Sequence, residues 1–188
     1  MAKSQNSILT KSQELFQQYG YNKTTLTDIA KSVGKVKSAI YYYFSGKEEI
    51  FAKIVRIESE QFWSELKKNI EQHATVEEKL HAYIETRVKL MQKISQRYSF
   101  LKQEFFELMP IVETNRKKAD YEEKEYITKL LVSHKKYKDT QDEIIRFKAE
   151  MLVNTIKGLE IQMYVTDEVL IDKKSLPIFS DVLLNGIL

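Results

Sequence analysis

The chain has 188 residues, 43% of them hydrophobic, with only five glycines and two prolines, which is enough apolar material for a core and too few turn formers for a loop-rich β protein. It contains no cysteine, so disulfide frameworks and thiolate chemistry are excluded, and its net charge of +3 does not by itself select a partner. No run of about 18 apolar residues is present and the opening MAKSQNSILTKSQ has no apolar centre, so neither a membrane span nor a secretory leader is expected.

Residues 3–19 read as a first helix with Ile8, Leu15, Phe16 and Tyr19 as its apolar stripe, small Ser12 between them, and Gly20 as its stop. Thr25 stands three residues ahead of Asp28, the spacing of a capping box, and Leu26, Ile29, Ala30 and Val33 then recur on one face until Gly34. After a turn of about three residues, Val36, Ile40 and Phe44 repeat at four-residue intervals as the apolar face of another short helix. Lys37, Ser38, Tyr41 and Tyr42 occupy its other side. Lysine neutralises phosphate, small residues such as Ser38 and Ala39 permit close approach, and tyrosine hydroxyls reach phosphate oxygens, so this face suits the major groove. Tyr41, Tyr42 and Tyr43 are spread about 100° apart and cannot share one buried face; Tyr43 is equally readable as a core aromatic.

Charge is distributed in agreement with this reading. Residues 1–47 hold seven lysines against Glu14 and Asp28, a net of +5, leaving −2 for the rest. A basic head on a near-neutral body is the footprint of a DNA reader.

From Lys47 to about Gln72 one long helix is expected, its apolar residues Ile50, Phe51, Ile54, Ile57, Phe62, Leu66 and Ile70 drifting around the axis. Lys47 at its start is placed where helix dipole and free N–H groups attract phosphate. Thr75 and Glu78 form a second capping box before a helix carrying Leu80, Tyr83, Ile84, Val88, Met91 and Ile94. An aromatic segment near 96–109 follows, and Pro110 is expected at the start of the next helix, which runs to about Lys135. KKYKD reads as an exposed loop, 140–165 as a long helix, and 176–188 as a final apolar one. Trp63 and Phe62, with Tyr83, Met91, Phe100, Phe105, Phe106, Met109 and Tyr121, could line a small-molecule pocket, although residues of these types at helical spacing more often simply pack. Arg87 is either an anchor for an acidic ligand or, slightly preferred, an exposed residue. His73, His81 and His134 are scattered without metal-ligand spacing, and no catalytic or nucleotide-binding motif occurs, so no enzyme, metal or cofactor is expected.

The residues Gly20-Tyr21, Thr24-Thr25-Leu26, Asp28-Ile29-Ala30, Val33-Gly34, Lys37 to Phe44 and Lys47-Glu48-Glu49-Ile50-Phe51 together resemble the DNA-binding domain of the tetracycline-repressor (TetR) family of bacterial transcriptional regulators. The resemblance covers about the first fifty residues. It departs from the family pattern in the turn, where Lys35 replaces an apolar residue and Val36 a small polar one; either Val36 supplies the packing or Lys35 lays its stem over the core. Ser38 stands where glycine is frequent and Tyr43 where histidine is.

The resemblance implies an all-α homodimer of about nine helices per chain, with a helix-turn-helix domain over 1–47 and a ligand-binding and dimerisation domain over 48–188. It implies a cytoplasmic repressor that binds an inverted repeat in double-stranded DNA and is released by a small hydrophobic or amphipathic ligand. Lys37, Tyr42 and Lys47 are expected at phosphates, and Ser38, Tyr41, Lys35 and Thr27 near bases, with Thr25, Ala39 and Tyr43 completing the surface. The dimer interface is expected from Met151, Leu152, Ile156, Leu159 and Met163 of one helix and Phe179, Val182, Leu183 and Ile187 of the other. The rival class is a helical protein-interaction module that retains the head without an inducing ligand.

Overall fold

The computed structural model describes residues 2–165 and 171–188, with the side chains at 2, 100 and 101 left aside. Eight α-helices account for most of it, and no strand occurs among the described residues. They are α1 (Ala2–Tyr19), α2 (Leu26–Ser32), α3 (Lys37–Tyr41), α4 (Lys47–Ile70), α5 (Val76–Arg97), α6 (Phe105–Ser133), α7 (Asp142–Val165) and α8 (Ser175–Ile187), with 3-10 turns at Ser99–Glu104 and Lys135–Tyr137. No helix is long and apolar enough to cross a membrane among the described residues.

The chain packs as two compact units, one formed by Met1–Glu60 with Gln96–Lys117 and the other by Gln61–Ser95 with Lys118–Leu188. In the first, Ile8, Leu9, Phe16, Ile29, Ala30, Ile40, Phe44, Ile50, Phe51, Ile54 and Leu108 form one buried cluster. Phe16 meets Phe51 edge-on at 5.7 Å between centroids and Tyr21 at 5.5 Å, an aromatic triangle at the centre of the head. The α1 stripe differs from expectation at one position: Tyr19 is exposed and Leu9 is buried instead. Tyr19 is the last residue of α1, beside Gly20 at φ +87°, so the chain turns before its ring can join the core.

Pro110 lies in the sixth position of α6 and not at its start, because the helix already begins at Phe105. Proline there forgoes the backbone bond to Phe106 C=O. Burial of Leu108, with Ile111 and Val112 packed on the same cluster, carries the helix across the gap. The KKYKD segment is also tighter than an exposed loop. Tyr137 is buried within its 3-10 turn and its hydroxyl donates to the Ile187 carbonyl.

The second unit is built around a large apolar cluster from α4, α5, α6, α7 and α8, including Trp63, Leu66, Leu80, Ile84, Ile127, Leu152 and Leu184. Within it sits a charge. Arg87, on α5, is completely buried, which corrects the expectation of an exposed side chain. Its Nε donates to Glu123 of α6 at 2.6 Å and its Nη1 donates to Glu160 of α7, while Tyr83 donates its hydroxyl to Glu123 at 2.7 Å. Burial alone would push the guanidinium toward deprotonation, but the adjoining Glu123 and Glu160 carboxylates outweigh it and raise its pKa. The guanidinium therefore fastens three helices together. Removing it leaves two carboxylates buried without their cation, so Arg87→Ala should cost about 3–5 kcal/mol in chemical denaturation. A loss below about 1 kcal/mol would show that the cluster is wet and loose.

Candidate nucleic-acid interface

The geometry of α2 and α3 follows from three local devices. Thr25 Oγ1 accepts the Asp28 N–H at 3.2 Å while Asp28 accepts the Thr25 N–H at 3.0 Å, the reciprocal box expected from the sequence. Gly34 takes φ +66°, a conformation that favours glycine, and directs the chain out of α2. The Lys35 N–H then closes back on the Ala30 carbonyl at 2.8 Å, tightening the turn.

α3 has only five residues, too few to persist on its own hydrogen bonds. It is held by Ile40 and Phe44, both buried in the head's core. That anchoring turns the opposite side outward. Lys37 and Ser38 are exposed, Ala39 is half-buried, and Tyr41 and Tyr42 are 51% and 69% exposed, too much for core aromatics. Tyr43 is half-buried and packs on the core, edge-on to Tyr42 at 4.9 Å. Lys37 Nζ stands 5.8 Å from the Tyr41 ring centroid. On α2, Thr27 is exposed, whereas the Thr25 hydroxyl is already engaged in the cap. Lys35 is exposed, so its stem does not cover the core.

Val36 departs from the expected packing face. It is 69% exposed and forms the N-cap of α3 with an extended backbone (φ −88°, ψ 156°). Helical periodicity places residues on a common face only where the helix continues, and Val36 precedes it. The partly buried Val33 packs against the core at this turn.

The loop between α1 and α2 shows an arrangement with no sequence signature. Lys47 Nζ donates to the carbonyls of Tyr21 and Thr24 at 2.7 and 3.0 Å and lies 4.1 Å from the Tyr21 ring centroid. From the other direction Glu104 accepts the N–H groups of Tyr21 and Asn22 at 2.7 and 2.8 Å, and Glu107 accepts the Asn22 side-chain amide at 2.9 Å. Burial lowers the Lys47 pKa, and Glu104 and Glu107 partly offset this. In this arrangement Lys47 braces the entry to α2. A Cβ at Gly20 would approach the Glu104 carboxylate to 3.3 Å, so this glycine answers both a backbone and a space requirement.

The residues expected to line a ligand pocket divide between the two units. Phe62, Trp63, Tyr83, Arg87, Met91 and Tyr121 belong to the second, and Phe100, Phe105, Phe106 and Met109 to the first. Trp63, Tyr83 and Met91 are buried in the second unit's core, where Phe62 packs against them and its ring centroid lies 5.7 Å from the Arg87 Cζ. Phe105 and Met109 are half-buried, Phe106 and Tyr121 are exposed, and the Phe100 side chain lies outside the described residues. Neither Phe106 nor Tyr121 lines the interior of its own unit, because each ends on a solvent-facing side of α6.

Of the residues expected between subunits, Leu152, Ile156 and Met163 are buried in the core of their own chain and are corrected to core positions. Met151 and Val182 are exposed, and Leu159, Phe179, Leu183 and Ile187 are partly buried against that core.

The capped α2 and the uncapped α3, joined by the Gly34 turn with the polar face of α3 directed outward, define a helix-turn-helix protein. The family model for bacterial regulatory proteins of the tetR family matches residues 8–54, so this segment carries the N-terminal domain of that family. It is 36% identical over 80 residues to the HTH-type transcriptional regulator QacR of Staphylococcus aureus, covering 43% of each chain. It is 44% identical over 50 residues to IcaR, the negative transcriptional regulator of the biofilm operon icaADBC in Staphylococcus epidermidis, covering 27% of each. These matches therefore span less than half the length of either relative. The crystal structure of a TetR/AcrR-family transcriptional regulator from Thermobifida fusca shares the fold, with a TM-score of 0.69, 24% identity and 97% of both chains covered.

The capping box makes the head sensitive to acid. Asp28 is held below its ordinary value of 3.8 chiefly by the Thr25 hydroxyl and also by the Thr25 N–H. A carboxyl lowered on folding stabilises fully above its unfolded pKa, and the contribution is lost as pH falls through the folded value. Asp28→Ala should therefore lower the thermal midpoint at pH 7, with the difference from wild type shrinking below about pH 3.8. A difference independent of pH would show that the carboxylate charge is not what holds the cap.

Proposed function

We propose that this protein is a cytoplasmic DNA-binding transcriptional repressor that acts as a homodimer on an inverted repeat and is released by a small hydrophobic or amphipathic ligand. The observation that carries the reading is the outward face of α3. Burial of Ile40 and Phe44 leaves Lys37, Ser38, Tyr41 and Tyr42 turned away from the core, on a segment whose net charge is +5. Lys37 and the Tyr42 hydroxyl serve phosphates, while Ser38, Tyr41, Lys35 and Thr27 face base edges. Lys47 supports binding through the loop that it braces.

A dimer is required because a single five-residue recognition helix reaches few groups on the duplex, and two copies reach half-sites about 34 Å apart, one turn of duplex. Exposed apolar side chains support the pairing surface. Ile144, Phe147, Met151, Ile161 and Val165 recur on the outer side of α7, and Ile178 and Val182 lie one turn apart on α8. An apolar stripe of this extent on paired helices suits a twofold partner. The ligand would enter the second unit near Phe62, Trp63 and Met91; binding it more tightly in the DNA-incompetent form by about 1–3 kcal/mol is sufficient for release.

Duplexes enriched from a random library by the full chain should be inverted repeats bound with strong salt dependence. Lys37→Ala should weaken binding to all of them and reduce the slope of log affinity against log salt by about 1 for each phosphate left without its lysine. An unchanged slope would overturn the phosphate role, and failure to enrich any duplex at low salt would overturn the function. The double substitution Phe147→Asp with Val182→Asp should yield folded monomers by light scattering and abolish binding to the paired half-sites. A dimer that survives both charges would place the interface elsewhere.

A further inference from the structure

The N-cap of α3 is occupied by a residue that helix stability does not explain. Serine, threonine, aspartate and asparagine cap helices by accepting an N–H, and an apolar residue forgoes about 1 kcal/mol there. Val36 makes no side-chain cap hydrogen bond, on the helix of this chain that can least spare one. It contributes little to the core either, since it is more than two-thirds exposed and Val33 fills the packing at the turn. Its two sequence neighbours, Lys35 and Lys37, are both exposed, so the valine is flanked in the chain by two cationic residues.

In a helix-turn-helix docked on DNA, the first residues of the second helix are those that meet base edges. The major-groove edges present donors, acceptors and one apolar group, the C5-methyl of thymine. A valine side chain can neither donate nor accept a hydrogen bond. We propose that Val36 is a specificity-determining residue that reads a thymine methyl in each half-site, with Lys35 and Lys37 holding the backbone on either side. The inference rests on the DNA-binding reading above and adds to it the base and the atom recognised. Serine at this position would improve the cap and remove the reader, so stability and specificity should move in opposite directions.

The test uses the full chain and a duplex enriched by it from a random library. Each thymine is replaced singly by deoxyuridine, which removes only the methyl group, and binding is measured by fluorescence anisotropy for wild type, Val36→Ser and Val36→Ala. Wild type should lose about fourfold at one thymine position in each half-site, the value of one buried carbon, and about sixteenfold when both symmetry-related positions are changed. Both variants should be indifferent to uracil at that position, retain the wild-type response at all other thymines, and bind the unmodified duplex more weakly. Val36→Ser should melt no lower than wild type. Identical uracil profiles for all three proteins would overturn the proposal, as would a wild type indifferent to every replacement. If no duplex is enriched at all, the regulator reading fails first and the proposal falls with it, an outcome distinct from DNA binding that ignores the methyl.

Discussion

A helix of five residues is below the length at which hydrogen bonding outweighs the entropy of ordering the backbone, and α3 exists because two side chains of its segment are buried elsewhere. Ile40 and Phe44 enter a cluster already formed by Phe16, Ile29, Ile50 and Phe51, so the orientation of α3 is set by packing and not by its own cohesion. Fixing one point on so short a helix and a second three residues past its end fixes which way the remaining side chains face. Lys37, Tyr41 and Tyr42 are outward as a geometric consequence of where Ile40 and Phe44 are inward. The same dependence explains why the N-cap can hold valine: stability comes from the core, and the cap is left open to another use.

The two units use charged side chains for different purposes. In the head, Lys47, Glu104 and Glu107 act on the loop ahead of α2, with the ammonium held by two carbonyls and Glu104 by two N–H groups of that loop. These bonds satisfy main-chain atoms that no helix or strand accommodates, and they fix where α2 begins. In the second unit, Arg87 acts on side chains. Its two carboxylate partners come from different helices, so it specifies which helices meet while apolar burial supplies the stabilisation. Because two carboxylates already outweigh its single charge, Arg87 is poorly suited to attract an acidic ligand.

What could be read from the sequence follows the range of the interactions involved. The capping boxes at Thr25–Asp28 and Thr75–Glu78 span three residues each, and both form as the spacing indicates. The helical faces bearing Ile29, Ile40 and Phe44 were legible because periodicity is local. Val36 misled for the same reason: it keeps the four-residue spacing but lies where the backbone is extended, so the period carries no information about its direction. The brace joins Glu104 to a loop 82 and 83 positions away, and the partners of Arg87 lie 36 and 73 positions away. No local pattern marks such pairs. An arginine within an apolar stretch signals only that some compensation must exist.

The hardest decision for a sequence reading was on α7, which is apolar on two sides. Ile145, Ala149, Leu152, Val153, Ile156 and Met163 face the core, while Ile144, Phe147, Met151, Ile161 and Val165 form a second stripe facing out. Each stripe alone has the spacing of a buried helical face, so hydrophobicity cannot decide which one meets the chain's own core. The difference lies in what accompanies the residues. The inner stripe contains Ala149, which lets neighbouring helices approach, and Glu160, which is tied to Arg87; the outer one contains Phe147 and exposed Gly158, with no buried charge to anchor it. A helix that needs only one buried face for folding gains nothing in stability from a second. On the dimeric reading proposed above, the outer stripe answers a requirement of assembly that folding of the single chain does not impose.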